Sequence, residues 1–97
     1  MKSVFITYGQ SLNQAIEELL DKLSVRGFSR WDETFGRGSE NGDPHYGTHA
    51  WPSKNSSIIA IVDDNKATLL MQKLRLLNQQ TEEQGLSAFV WSVEETL

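Results

Sequence analysis

The apolar residues of this chain change period in a fixed order, and they do so twice. Ser3 to Tyr8 is rich in β-branched and aromatic residues and reads as a strand. Gly9 and Gln10 then turn the chain, and Ser11 with Gln14 three residues on forms a capping-box signal. Leu12, Ala15, Ile16, Leu19, Leu20 and Leu23 follow helical spacing and make one apolar stripe, with Gly27 placed as a C-terminal stop. Phe28 to Phe35 is a second strand, weakened by Asp32 and Glu33. The order repeats from Ser57 to Val62, the most apolar run and the expected central strand. Asp63, Asp64 and Asn65 offer an N-cap, and Ala67, Leu70, Met71, Leu74 and Leu77 form a second stripe. Gly85 closes that segment, and Leu86 to Val93 is the last strand.

Strand–helix–strand, twice over, restricts the fold severely. Two right-handed crossovers build an α+β split βαβ, the ferredoxin-like βαββαβ sandwich. Its four-stranded antiparallel sheet carries two helices on one face and leaves the other bare. Trp31, Phe89, Val90 and Trp91 are expected on that bare face, and oligomerisation through the sheet is its simplest cover. Residues 1–97 read as a single domain, with a long connection at about 36–55.

Composition narrows the function. A net charge of −4, from 13 acidic and 9 basic residues, argues against a general nucleic-acid or anionic-membrane surface. The absence of cysteine removes disulfides, thiolate metal sites and thiol catalysis. Lys2 leads directly into a strand-like run, and no apolar stretch reaches the roughly 18 residues of a membrane span. The expectation is a cytoplasmic protein. There is no Gly-x-Ser-x-Gly elbow and no His-Glu-x-x-His, so an enzyme is not expected.

The unusual chemistry is concentrated between Gly36 and Pro52. Both histidines, both prolines and four of the seven glycines lie there. A long, chemically loaded connection in an economical domain marks function. Arg37, between Gly36 and Gly38, offers a planar fork for a phosphate or carboxylate, or else a turn arginine pairing with Glu33 or Glu40. His45 and His49, with Asp43 or Glu40, form a candidate metal set for Zn or Cu; the alternative is hydrogen bonding within a loop or an interface. Trp51, beside Pro52, is a candidate for stacking on a ligand or partner, whereas Trp31 and Trp91 suit an oligomer core.

Phe35-Gly36-Arg37, at the end of the second strand, resembles the Phe-Gly-Arg that opens the T-loop of PII signalling proteins. Ala88-Phe89-Val90-Trp91-Ser92-Val93-Glu94-Glu95 is similar to the Ile-Phe-Val…Val-Glu-Glu strand of the same nitrogen regulatory family. The resemblance implies a homotrimer with effector clefts between subunits. Adenine nucleotides bind there in the classical members, and loops engage a membrane transporter or an enzyme. Phe35, Gly36, Arg37, Gly38 and Trp51 are then the expected ligand-binding residues. The sequence departs from the family where a Gly-rich phosphate loop is expected: Gln80-Thr81-Glu82-Glu83-Gln84-Gly85-Leu86 offers one glycine and two acids. A further basic segment is expected in the family beyond the position of Leu97, and Gly38 replaces a Gln. These departures imply a reduced PII-like protein in which classical ATP sensing is not expected; the expected effector is small, a nucleotide, another anion or an ion. The alternative is a metal-handling protein like the CutA relatives, with His45 and His49 as ligands. A small ferredoxin-like monooxygenase would need polar groups on the inward faces, which the stripes lack.

Overall fold

Strand β1 (Lys2–Gly9) leads through one turn of 3-10 helix at Gln10–Leu12 into helix α1 (Asn13–Lys22) and then strand β2 (Phe28–Thr34). Strand β3 (Asn55–Val62), helix α2 (Asp64–Gln80) and strand β4 (Ser87–Ser92) complete the order. The computed structural model describes residues 1–37, 40, 42–48, 53–81 and 85–97. The four strands form one sheet in the order β2-β3-β1-β4, with every neighbouring pair antiparallel. This is the α+β, ferredoxin-like sandwich expected from the element order.

Alternation along β1 divides the molecule. Val4, Ile6 and Tyr8 are fully buried, and their partners Ala60, Ile58 and Ser56 on β3 share their face. Leu12, Ile16 and Leu20 of the first apolar stripe and Ala67, Leu70 and Leu74 of the second pack over that face. Phe5 and Thr7 point the other way, with Ser57, Ile59 and Ile61 on β3 and Ser87, Phe89 and Trp91 on β4. Phe89 is 56% exposed, and Trp31 and Trp91 are each 48% exposed. Val90 stands opposite Val4 and so belongs to the helix side, not to the open face expected of it. Strand parity is set by pairing register, which composition does not reveal.

Both helix ends have local explanations, and one differs from expectation. Asp63 caps α2 by accepting the Lys66 backbone N–H at 2.7 Å, as expected. For α1, Leu12 occupies the N-cap position, and Gln14 bonds Glu18 instead of reaching back. The α1 terminus forms three residues before Gly27. Ser24 takes φ 56, the Val25 N–H donates to Leu20 O at 2.8 Å, and the Ser24 N–H donates to Asp21 O. This is a Schellman ending with a serine in the left-handed position, and Val25 and Leu20 both join the core.

Tyr8 is fully buried, and its hydroxyl has no hydrogen-bond partner among the described residues. The Ser56 hydroxyl near it donates to Asp32 O instead. Burial raises the Tyr8 pKa above the ordinary 10.0, opposed by the positive Arg30. A group whose folded pKa is raised adds stability below its unfolded pKa and loses it as pH climbs through the folded one. We therefore predict that stability is flat in this respect below about pH 10 and falls above it. In Tyr8→Phe that alkaline loss should largely disappear, with neutral-pH stability unchanged or slightly higher. Denaturant melts at about pH 8 and about pH 11, on either side of the ordinary tyrosine value, measure both.

Candidate functional site

An irregularity in β2 positions the site. Trp31 pairs with Ser57, but Thr34 rather than Glu33 pairs with Asn55, so β2 carries one extra residue between them. The Asp32 carbonyl, within this bulge, accepts the Gln10 side-chain amide at 2.5 Å and the Ser56 hydroxyl at 3.0 Å. The extra residue moves Thr34 onto the open face, where its hydroxyl lies 3.1 Å from Ser57 Oγ. Ser57 Oγ reaches Thr7 Oγ1 at 3.4 Å, and Ser87 stands opposite Thr7. A row of hydroxyls thus crosses all four strands at one end of a face that is otherwise mostly apolar, with Ser3 and Ser29 among Phe5, Trp31, Ile59, Ile61, Phe89 and Trp91. Glu33 lies outside this row and pairs with Lys54 at 2.6 Å.

The row floors a depression of about 390 Å³. Thr7, Thr34, Ser57 and Ser87 supply its polar floor; Phe5, Phe89 and Phe35 supply apolar walls. Gly36, Arg37 and Asn55 complete the lining. Arg37 is its only cationic side chain among the described residues. Flat apolar walls, donors and acceptors of neutral charge, and a single guanidinium suit a small ligand with a planar part and an anionic group. Two other depressions, of about 300 and 410 Å³, lie along α2 and β4, where Met71 and Arg75 contribute to both. Among the described residues, none of the sequence-predicted ligand or metal residues lines them.

Beyond Phe35 the chain turns back on itself. The Gly36 N–H donates to His45 O at 3.0 Å, and the His45 N–H donates to Gly36 O at 2.6 Å. Pro44 and His45 are buried, and His45 Nδ1 lies 2.5 Å from Asn55 Oδ1. The Gly47 N–H donates to Ser53 O, with Gly47 at φ +65 beneath Phe35 and Lys54. The described part of the loop is therefore tied to the sheet by backbone pairing and a buried side-chain contact.

Of the sequence-predicted ligand residues, Phe35, Gly36 and Arg37 are brought together at one depression. Asp43 is exposed, and the Nδ1 of His45 is engaged by Asn55. No group of three metal-ligating side chains forms among the described residues. Gly38, His49 and Trp51 lie outside the described residues. Sequence reasoning missed Asn55, Thr7, Thr34, Ser57 and Ser87. The one available signal was Asn55-Ser56-Ser57, a polar start to an otherwise apolar strand.

No protein-family model matches the sequence, and a comparison with curated proteins finds no match. Solved structures do match. CPII from Thiomonas intermedia K12, bound to ADP and bicarbonate, aligns over 95% of this chain and 84% of that one, at 21% identity and TM-score 0.74. The apo form of CPII, a nitrogen regulatory PII-like protein, aligns over 95% and 87%, at 18% identity and TM-score 0.72. A PII-like signaling protein from Thermus thermophilus aligns over 95% and 85%, at 23% identity and TM-score 0.65. This chain has the PII-like fold. At these identities the likeness is one of architecture, and it agrees with the resemblance carried by Phe35-Gly36-Arg37 and the last strand. No helix among the described residues is long and apolar enough to cross a membrane.

The loop base yields a prediction of its own. A Cβ on Gly47 would sit 2.8 Å from Phe35 Cε1 and 2.9 Å from Lys54 Cε, at a left-handed φ. Gly47→Ala should cost about 1–3 kcal/mol, lowering Tm by about 4–8 °C per kcal/mol. An unchanged thermal melt would show that the loop base opens independently of the sheet.

Proposed function

We propose that this protein is a small PII-like regulator that binds an anionic effector in the depression at the end of β2 and presents the 36–55 loop to a partner. The observation that carries this reading is the convergence of Phe35, Gly36 and Arg37 on a hydroxyl-floored depression of about 390 Å³. Phe5, Phe35 and Phe89 offer walls for a planar ring, and Arg37 offers a bidentate site for phosphate or carboxylate. CPII, which has the same fold, is bound to ADP and bicarbonate in one structure and to ADP, AMP and bicarbonate in another. These are the ligand classes we assign to this pocket: an adenine nucleotide of low charge, or a small oxyanion.

ATP is the weaker candidate. The pocket offers one cation among its described residues, and the segment between α2 and β4 carries Glu82 and Glu83 in place of phosphate-binding glycines. The role we assign is regulatory, in keeping with CPII, a nitrogen regulatory PII-like protein of the same fold; the described polar groups of the pocket are hydroxyls, an amide and a guanidinium. A membrane transporter or an enzyme is the partner class that this loop-presenting reading brings, in a cytoplasmic setting.

The assembly we assign is a homotrimer closed through the open sheet face. Trp31, Phe35, Ile61, Phe89 and Trp91 are each more than 40% exposed on or beside that face. Closed symmetry covers such a surface on every copy.

Two measurements test the reading. Calorimetry with ADP, AMP and bicarbonate should detect binding to the wild type, with ATP weaker than ADP; Arg37→Ala should weaken nucleotide binding at least about tenfold, as expected for a lost charge-assisted contact. Absence of binding by all of these would overturn the effector assignment. Light scattering should give a trimer for the wild type and smaller species for Phe89→Asp. A wild-type monomer at micromolar concentration would overturn the assembly.

A further inference from the structure

Asn55 belongs to two structures at once. Its side chain lines the depression beside Gly36 and Arg37, and its Oδ1 meets the imidazole of His45. The residue is only 3% exposed, at the first position of β3. Its ladder neighbour on β1 is Gly9, which has no side chain to orient an amide. Its neighbour on β2, Thr34, directs its hydroxyl to Ser57. Among the described residues, the side chain that meets the Asn55 amide is His45. With Nδ1–H donating to Oδ1, the Nδ2 hydrogens remain on the side of Gly36, where a Cβ would stand 3.7 Å from Nδ2.

His45 is itself held firmly. Its backbone exchanges both hydrogen bonds with Gly36, and it is 7% exposed. Gly36 in turn lies between Phe35 and Arg37, which line the same depression.

We propose that His45 is a positioning residue for this pocket, fixing the Asn55 amide with its donors toward an anionic ligand and coupling pocket occupancy to closure of the loop base. The proposal rests on the effector reading above and adds to it the route by which occupancy reaches the loop. An oxygen accepting from Asn55 Nδ2 polarises the amide and strengthens Oδ1 as the acceptor for His45, because linked hydrogen bonds reinforce one another. A tighter Asn55–His45 contact stabilises the His45–Gly36 pairing. By linkage the effect is reciprocal: a loop base that is closed holds the ligand more tightly by the same factor.

The experiment measures ADP, AMP and bicarbonate binding by calorimetry, together with hydrogen exchange at the Gly36 and His45 amides. In the wild type, saturating ADP should slow exchange at both amides. His45→Ala should weaken ADP binding about five- to tenfold, at the lower end of usual coupling factors, and should abolish the ligand-induced slowing. His45→Asn keeps a donor near the position of Nδ1 and should restore both to near wild-type values, which a merely structural role would not require. If His45→Ala does not fold, His45→Leu takes its place against His45→Asn. Full ADP affinity in His45→Ala, or failure of His45→Asn to rescue, overturns the positioning role while leaving the pocket standing. Silence of the wild type toward all three ligands overturns the pocket reading and the coupling with it.

Discussion

Helices cover only one face of this sheet, and the rest of the structure follows from that asymmetry. Strand β1 sends Val4, Ile6 and Tyr8 into a core built with both helices, and sends Phe5 and Thr7 to the opposite face. The residues that would ordinarily be solvated on a one-sided antiparallel sheet are here mostly large and apolar. Trp31, Ile61, Phe89 and Trp91 give the open face the composition of an interface, while Thr7, Ser57 and Ser87 make one end of it polar. An apolar area ending in a hydroxyl row is an area with two uses. One part suits contact with another copy, and the other suits a small polar ligand.

The β2 bulge determines where the polar end meets the loop. The inserted residue would leave the Asp32 carbonyl outside the regular ladder, and Gln10 and Ser56 satisfy it from two sides. The resulting shift puts Thr34 in the row and Glu33 out of it, and carries Phe35, Gly36 and Arg37 to the rim of the depression. A purely regular strand would have directed Glu33 to the same place. A carboxylate there would oppose an anionic ligand. The bulge therefore decides the charge of the site as well as its shape.

The loop base changes how the chemically rich segment is understood. The histidines between Gly36 and Pro52 were open to two readings, metal ligands or hydrogen-bonding groups within a loop or an interface. In the described residues, His45 closes a bridge to Gly36 and bonds a buried asparagine. Glycine is favoured at position 47 by its left-handed backbone, and a Cβ there would crowd Phe35 and Lys54. These features make the base of the loop a part of the sheet, and Phe35 and Asn55 are common to both.

Element order, helix stripes, the Asp63 cap and the one-sided sheet were legible in the sequence, because each depends on residues within a few positions of one another. Phe35, Gly36 and Arg37, singled out by a short run at a strand end, line one depression. Other features depended on partners far apart in the chain. The bulge is held by contacts from Asp32 to Gln10 and Ser56, separated by 22 and 24 residues. The hydroxyl row needs Thr7 beside Ser57, 50 residues away, and the contact of Asn55 with His45 needs the loop folded back upon the sheet. Val90 fell on the unexpected face for the same reason, since parity is a property of the register between strands. The sequence by itself determined which elements form and in what order, through local periodicity. Only the tertiary structure decided which small polar side chains share a cavity, because that depends on long-range register and on one extra residue in one strand.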